Sequence, residues 1–406
     1  MKRRPRDRKA QIARAAADAF SELGYHAVSM ENIAARVGIS AAALYRHSHG
    51  KYDLFRSAVL ALGQLLVDAT EFADHLPDDA DPEETLRALT GALIDTTIVN
   101  RTAGGLYRWE GRYLRGGDRE VLNEQVKLVN RRLQRPLIRL RPDLQSRQRW
   151  VLSAATLSVI GSITDHRSRL GNDEVRAALA DIAAAMLTAD VPAQGASEPQ
   201  AAPTITSAVG SYELLLHEST RLFNERGYRE TGMEDIASAA GIPVANIYQY
   251  FPSKAAILAV SYRRGADRLS GDLSTILAAG TGPGESLVQL IDAFVKRSFA
   301  NPELARVYYT ERHNLPDTDA VLLDNIHRST VESWARLAVA ARPELSLGRA
   351  RYAVHAAFAL AVGVGQLVIP GPSQLARTTV RRLMEITLLG ESVTASDQAA
   401  LSGTRR

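Results

Sequence analysis

Apolar residues recur at three- and four-residue spacing along most of the chain. The clearest segments are residues 12–23, 52–72, 83–99, 119–140, 147–164 and 174–187. That period gathers apolar side chains on one face of a helix. Strict apolar/polar alternation and Asn-Gly hairpin signals are missing, so the pattern predicts an all-α chain. Breakers fall between the segments: Gly24, Gly38, Gly50, Pro77, Pro82, Gly104-Gly105, Gly116-Gly117, Pro142 and Gly171. The longest apolar stretch, residues 353–369, carries His355 and Gln366. It reads as a buried core helix, and no membrane partner is expected.

The pattern repeats. Phe20-Ser-Glu-Leu-Gly-Tyr25 returns as Phe223-Asn-Glu-Arg-Gly-Tyr228, 203 residues later. Without a gap the same offset aligns Met30-Glu31 with Met233-Glu234, Gly38-Ile39 with Gly241-Ile242, Tyr45 with Tyr248 and Lys51 with Lys254. Thirteen of the 32 positions from 20 to 51 are identical. At offset 201, Arg141-Pro-Asp-Leu144 matches Arg342-Pro-Glu-Leu345. A unit of about 200 residues is a domain-sized duplication, far too long for a solenoid repeat. Between the copies, residues 189–210 are rich in Ala, Pro, Ser, Gly and Gln and read as a linker.

Charge separates the two copies. The net charge is only +4, yet residues 1–14 carry Lys2, Arg3, Arg4, Arg6, Arg8, Lys9 and Arg14 against Asp7 alone. Such an arm suits a polyanion. Residues 1–60 sum to +6, and the equivalent 204–263 sum to −1. The chain has no cysteine, which excludes disulfide scaffolds, thiolate metal sites and cysteine nucleophiles. Basic residues and an amphipathic helix follow Met1 in place of an apolar leader core, so a cytoplasmic protein is expected.

The chemistry concentrates at residues 29–51. Ser29 is placed to cap a short helix over 30–37. Gly38 suits a left-handed turn, and Ser40 a second cap before a helix over about 41–47. Two short helices around a glycine turn, with small Ala34 at the crossing, make a helix-turn-helix. The run Phe20…Gly24-Tyr25…Met30-Glu31-Asn32-Ile33-Ala34…Gly38-Ile39-Ser40…Leu44-Tyr45-Arg46-His47…Lys51 resembles the N-terminal DNA-binding domain of the tetracycline-repressor (TetR) family. The resemblance covers about residues 8–66 and 211–269.

The resemblance implies two tandem TetR-like units in one all-α chain. Each has a three-helix DNA-binding domain followed by a helical ligand and dimerisation domain. The expected boundaries are 1–66, 67–190, a linker at 191–208, 209–269 and 270–395. It also implies a double-stranded DNA operator and a small-molecule effector as partners. Ser40, Ala41, Ala42 and Ala43 make a low-bulk helix start that approaches DNA closely. Arg46 suits guanine or phosphate, and His47 suits phosphate. Tyr45 and Lys51 take the family's backbone-holding positions. The second copy offers Val244, Asn246, Gln249 and Tyr250 for reading, with Tyr248 and Lys254 as clamps. Lys2, Arg3, Arg4 and Arg6 complete the DNA-contact set.

One departure is plain. Where the family carries an aromatic ring after the reading helix, the first copy has Ser48, whereas the second keeps Phe251. Losing a buried ring costs about 3–5 kcal/mol unless the space is refilled, so local compensation is expected.

The last helices, residues 147–167 with 172–188 and 349–368 with 374–390, match the family's dimer bundle. A duplicated chain is then expected to form an intrachain pseudo-dimer, with further self-association left open. Polar and aromatic residues on apolar helices are the ligand candidates: Asn100, Trp109, Arg112 and Tyr113 in the first copy, Tyr309 and Arg312 in the second. No nucleophile elbow, P-loop, dinucleotide fingerprint or H-E-x-x-H occurs, so no enzyme, cofactor or metal is expected. The expected function is a repressor relieved by an apolar or amphipathic effector. Tandem forms resemble actinobacterial repressors of lipid or steroid genes. The rival reading is a ligand- or protein-binding module whose degenerate helix-turn-helix no longer holds DNA.

Overall fold

The computed structural model describes residues 5–192, 210–367 and 373–403, with side chains described at 8–192, 210–365 and 373–390. The expected linker at 191–208 therefore lies outside the described residues, apart from Val191 and Pro192. Among the described residues the regular structure is helical throughout. Packing divides the chain into two units, Met1–Leu144 with Ile163–Arg167, and Gln145–Ser162 with Ser168–Arg406.

The first unit holds α1 (Pro5–Ala27), α2 (Met30–Val37), α3 (Ala41–Leu44), α4 (Lys51–Thr70), α5 (Pro82–Val99), α6 (Gly105–Trp109) and α7 (Gly117–Leu140). Its head is built on Ile12, Phe20, Ile33, Leu44, Phe55 and Val59, all buried. Phe55 meets Phe20 edge-on at 5.3 Å and Tyr25 at 4.4 Å. Such aromatic pairs add about 0.5–1.5 kcal/mol beyond the area they bury. Below the head, α4 packs on α5 and α7. Buried Arg132 of α7 donates to Thr70 Oγ1 at 2.9 Å and to Asp74 in the short 3-10 turn that follows α4.

The second unit holds α8 (Ser146–Gly161), α9 (Asn172–Thr188), α10 (Ser211–Arg226), α11 (Met233–Ala239), α12 (Val244–Tyr250), α13 (Lys254–Ala278), α14 (Pro283–Ala300), α15 (Pro302–Glu311), α16 (Asp317–Ala341), α17 (Leu347–Leu367) and α18 (Gln374–Gly403). Its head, α10–α13, is built on Leu215, Phe223, Ile236, Ile247, Phe251 and Ile257.

The units do not follow the sequence repeat. Helices α8 and α9 come from the first copy and pack with α17 and α18 of the second. The reason is apolar surface. Val151, Leu152, Ala154, Ala155, Val159 and Ile160 bury every face of α8, and a helix apolar all round must be surrounded. Within the stretch at 353–369, the described side chains of α17 from Ala356 to Val362 are all buried. A Cβ at Gly363 would lie 2.6 Å from Ser158 Oγ, so glycine permits the approach of α17 to α8. Among the described residues no helix is long and apolar enough to cross a membrane.

Candidate nucleic-acid interface and cavity

The first helix-turn-helix forms as its caps dictate. Ser29 Oγ accepts from Asn32 N at 3.2 Å, and Asn32 Oδ1 accepts from Ser29 N at 2.8 Å. Helix α2 ends at Gly38, whose φ of 70° is left-handed. Gly241 repeats this at +66° in the second copy. Ser40 Oγ then accepts from Ala43 N at 3.2 Å.

The reading helix is shorter than the expected 41–47. Helix α3 stops at Leu44, and Tyr45, Arg46 and His47 form a following turn, with His47 N donating to Leu44 O at 2.9 Å. The cause is Ser48. It is only 5% exposed, and its hydroxyl donates to Asp53 Oδ2 at 2.9 Å. That bond draws the chain inward and holds the Asp53 carboxyl below the usual carboxylate range. It is also the local compensation for the lost ring. In the second copy Phe251 stacks on Tyr212 at 5.0 Å, and Tyr212 corresponds to Lys9. Both members of the aromatic pair are thus polar in the first copy.

Tyr45 (54% exposed), Arg46 and His47 stand on the surface, as do Ser40 and Ala42, while Ala41 and Ala43 are half-buried. Arg8 Nη1 donates to Val37 O at 3.4 Å, so the arm meets the head beside the end of α2. Lys2, Arg3 and Arg4 lie outside the described residues, as does the side chain of Arg6. In the second copy α12 keeps two turns and exposes Val244, Asn246, Tyr248, Gln249 and Tyr250. Pro243 precedes it in place of a capping hydroxyl.

Lys51 and Lys254 point inward. Lys51 Nζ donates to His26 O at 3.2 Å and lies 4.7 Å from the centre of the Tyr25 ring. Lys254 Nζ donates to Tyr228 O and Thr231 O, both at 2.6 Å, and sits 4.3 Å from the Tyr228 ring. Burial pushes the Lys254 ammonium pKa down. These lysines brace the bend between the first two helices of each head, which the clamp role alone does not include. The bend is bolted from below as well. Tyr25 N donates to buried Glu110 Oε2 at 2.9 Å, and Tyr228 N donates to buried Glu311 Oε1 at 3.2 Å.

The ligand candidates of the first copy are engaged internally. Asn100 Nδ2 donates to Thr96 O at 2.8 Å, and Trp109 Nε1 donates to Asp165 Oδ1 at 2.7 Å. Arg112 donates to the Tyr113 hydroxyl at 2.7 Å, and Tyr113 stacks on Tyr25. In the second unit, helices α13–α18 line a half-open cavity of about 760 Å³, to which Tyr309 contributes. Arg312 stands just past α15, outside the lining, and its charge reaches Tyr308 and His327. The lining also includes Phe294, Leu304, Ile326, Phe358 and Val362. Buried Trp334 packs behind, 5.1 Å from Phe358. At the wall, Arg297 grips Asp272 and Arg381 pairs with Asp292 at 3.2 Å. Burial raises the Tyr308 phenol to about 12 and, with the Arg312 charge, lowers the His327 imidazole to about 4. His327 is not among the residues expected from the sequence, because a lone histidine on α16 carries no local signal.

With the site in view, known proteins give it a context. The family described as bacterial regulatory proteins, tetR family, matches residues 12–58 and again 215–260. An uncharacterized HTH-type transcriptional regulator of Mycobacterium tuberculosis is 33% identical over 98 residues, 24% of this chain and 48% of that protein. The HTH-type transcriptional repressor KstR2 of Rhodococcus jostii is 28% identical over 137 residues, 34% of this chain and 67% of that one. The chain thus spans about half the length of the first of these relatives and two thirds of the second. Among solved structures, the ketosteroid transcriptional regulator KstR2 of Mycobacterium tuberculosis superposes with a TM-score of 0.40 at 22% identity, covering 45% of this chain and 96% of that one. Two separate matches, each on a head with the same left-handed turn and lysine brace, give the chain two tetR-type helix-turn-helix heads in tandem.

Proposed function

We propose that the chain is a sequence-specific DNA-binding transcriptional regulator, a repressor released from its operator by a small apolar or amphipathic effector of lipid or steroid origin. The observation that carries the reading is the bare reading surface on each head. Tyr45, Arg46 and His47 on one, and Asn246, Tyr248 and Gln249 on the other, are exposed groups that bond phosphates and base edges. On this reading residues 1–66 and 209–269 are the heads, 67–190 and 270–395 the regulatory regions, and 191–208 the linker. The setting is cytoplasmic. One chain acts as its own pseudo-dimer, and divergent heads read an operator that need not be palindromic. The cavity receives the effector, which releases DNA only by binding the DNA-incompetent state better. A tenfold bias requires about 1.4 kcal/mol.

The test is footprinting and titration on the DNA flanking the chain's own gene, at several salt concentrations. Specific protection is expected. Removing residues 1–9 should flatten the salt slope by about 0.9 for each phosphate that the arm neutralises. An unchanged slope removes the arm from the interface. Absence of specific protection overturns DNA binding in favour of a ligand- or protein-binding module. Deleting the gene is expected to raise transcription from the protected promoter; a fall would make the protein an activator.

A further inference from the structure

The cavity of the second unit grades from an apolar floor to a charged rim. Tyr262, Leu323, Phe358 and Val362 line it and are buried. Phe294 stacks on Phe358 at 4.7 Å and adds a second ring to that floor. Arg268 of α13 and Lys296 of α14 line the same cavity but are exposed, so they belong to its open side.

The charges of the lining do not cancel. Four cations, Arg268, Lys296, Arg297 and Arg381, meet two carboxylates, Asp272 and Asp292. Arg297 holds Asp272, and Arg381 pairs with Asp292 at 3.2 Å. Among the described residues neither Arg268 nor Lys296 makes an ion pair or a hydrogen bond. The field of Glu213 reaches Arg268, but that carboxylate is gripped by Arg264 at 2.6 Å. Arg312 adds a positive charge near Tyr308 and His327, opposed there by Asp324. Two cations are thus left over at the opening.

That excess belongs to the second copy alone. Offset 203 sets Leu65 of α4 against Arg268, and offset 201 sets Asp95 of α5 against Lys296. Positions that are apolar and acidic in one copy are both basic in the other, on two helices that flank the cavity.

These features restrict the ligand. The floor supplies affinity by burying hydrocarbon. An anionic head at the exposed rim keeps part of its water and meets two cations, so it escapes the cost of burying a lone charge. A cationic head meets the same two charges with the wrong sign. Resting on the reading of this cavity as the effector site, we infer that it takes an anionic amphiphile, its hydrocarbon body on the buried floor and its negative head group at the rim formed by Arg268 and Lys296.

The experiment is titration calorimetry of the full chain at about pH 7.5 with three probes of one chain length, decanoate, 1-decanol and decyltrimethylammonium. An exposed ion pair is worth up to about fivefold in affinity. Decanoate is therefore expected to bind about tenfold more tightly than the cation, with the alcohol between. Raising salt from about 50 to about 500 mM should weaken decanoate relative to the alcohol. The double change Arg268→Gln with Lys296→Gln, at two exposed positions, is expected to weaken decanoate about tenfold and leave 1-decanol within about twofold. Decanoate that binds no more tightly than the alcohol or the cation overturns the inference. So does decanoate affinity that the double variant leaves unchanged, and so does failure of all three probes to bind. The DNA titration separates the two readings. Decanoate that binds in the expected pattern yet leaves DNA binding unchanged supports the ligand class and overturns the effector reading. An alcohol or cation that releases DNA better than decanoate keeps the effector reading and overturns the anionic class.

Discussion

At the scale of single residues, the lysine that follows each reading helix carries a structural duty. Lys254 satisfies two backbone carbonyls at the bend, one of them on fully buried Thr231. Removing the ammonium takes the Lys254 donor from both oxygens; Tyr228 O keeps Thr231 N at 3.4 Å and Thr231 O is left unpaired, a loss of about 1–3 kcal/mol. Lys254→Met, which keeps the apolar stem, is therefore expected to lower stability by that amount in urea unfolding, before any DNA is added. A purely phosphate-holding lysine predicts the opposite, unchanged stability with weakened DNA binding. Spacing alone places Lys51 and Lys254 correctly at the first turn of the following helix. Their direction is not legible, because it depends on carbonyls at His26, Tyr228 and Thr231, more than twenty residues away. His327 is hidden for the same reason: it becomes informative only when α15 brings Tyr308 beside it.

At the scale of elements, the heads differ through one coupled exchange. The Tyr212–Phe251 stack of the second copy is replaced by Lys9 and Ser48, with Ser48 turned to Asp53. Ser48→Phe alone is expected to destabilise the first head, since the new ring meets Lys9 in place of a ring and Asp53 loses the Ser48 hydroxyl, keeping only His49 N and Arg56 as donors. The double change Lys9→Tyr with Ser48→Phe should recover about 0.5–1.5 kcal/mol of favourable coupling, the worth of an aromatic pair. A double-mutant cycle from urea midpoints measures it, and zero coupling would show that the two positions do not act together. Most of these elements are legible locally. Ser29 and Gly38 mark α2 at both ends, and the 30–37 expectation matches it residue for residue. Two features escape. Helix α6 is a short turn starting within the glycine pair at 104–105, where composition signals a break. The early end of α3 comes from the Ser48–Asp53 bond, which no helix propensity contains.

At the scale of the whole molecule, duplication is the most legible feature, yet the packing units divide elsewhere. The second unit takes α8 and α9 from the first copy, so a bundle with contributions from both copies lies inside one unit. The proposed pseudo-dimer makes this arrangement the reason for the tandem chain. Tethering holds the two helix pairs at an effective concentration of the order of millimolar, far above that of the protein in solution. The apolar faces of α8 and α9 are then covered within one chain and are not left for a second copy. Sedimentation of the full chain is accordingly expected to give one species of 44.1 kDa at micromolar concentration. The fragment 1–192 keeps α8 and α9 but lacks α17 and α18, which exposes Val151, Leu152, Val159 and Ile160 together. It is expected to self-associate or aggregate at the concentrations where the full chain stays single. A fragment that remained monomeric and folded would mean that α8 finds its cover within the first copy, and the pseudo-dimer would lose its physical basis. A full chain found only as a dimer would mean instead that the bundle is completed between molecules, with the linker serving to join the heads and not to close the core.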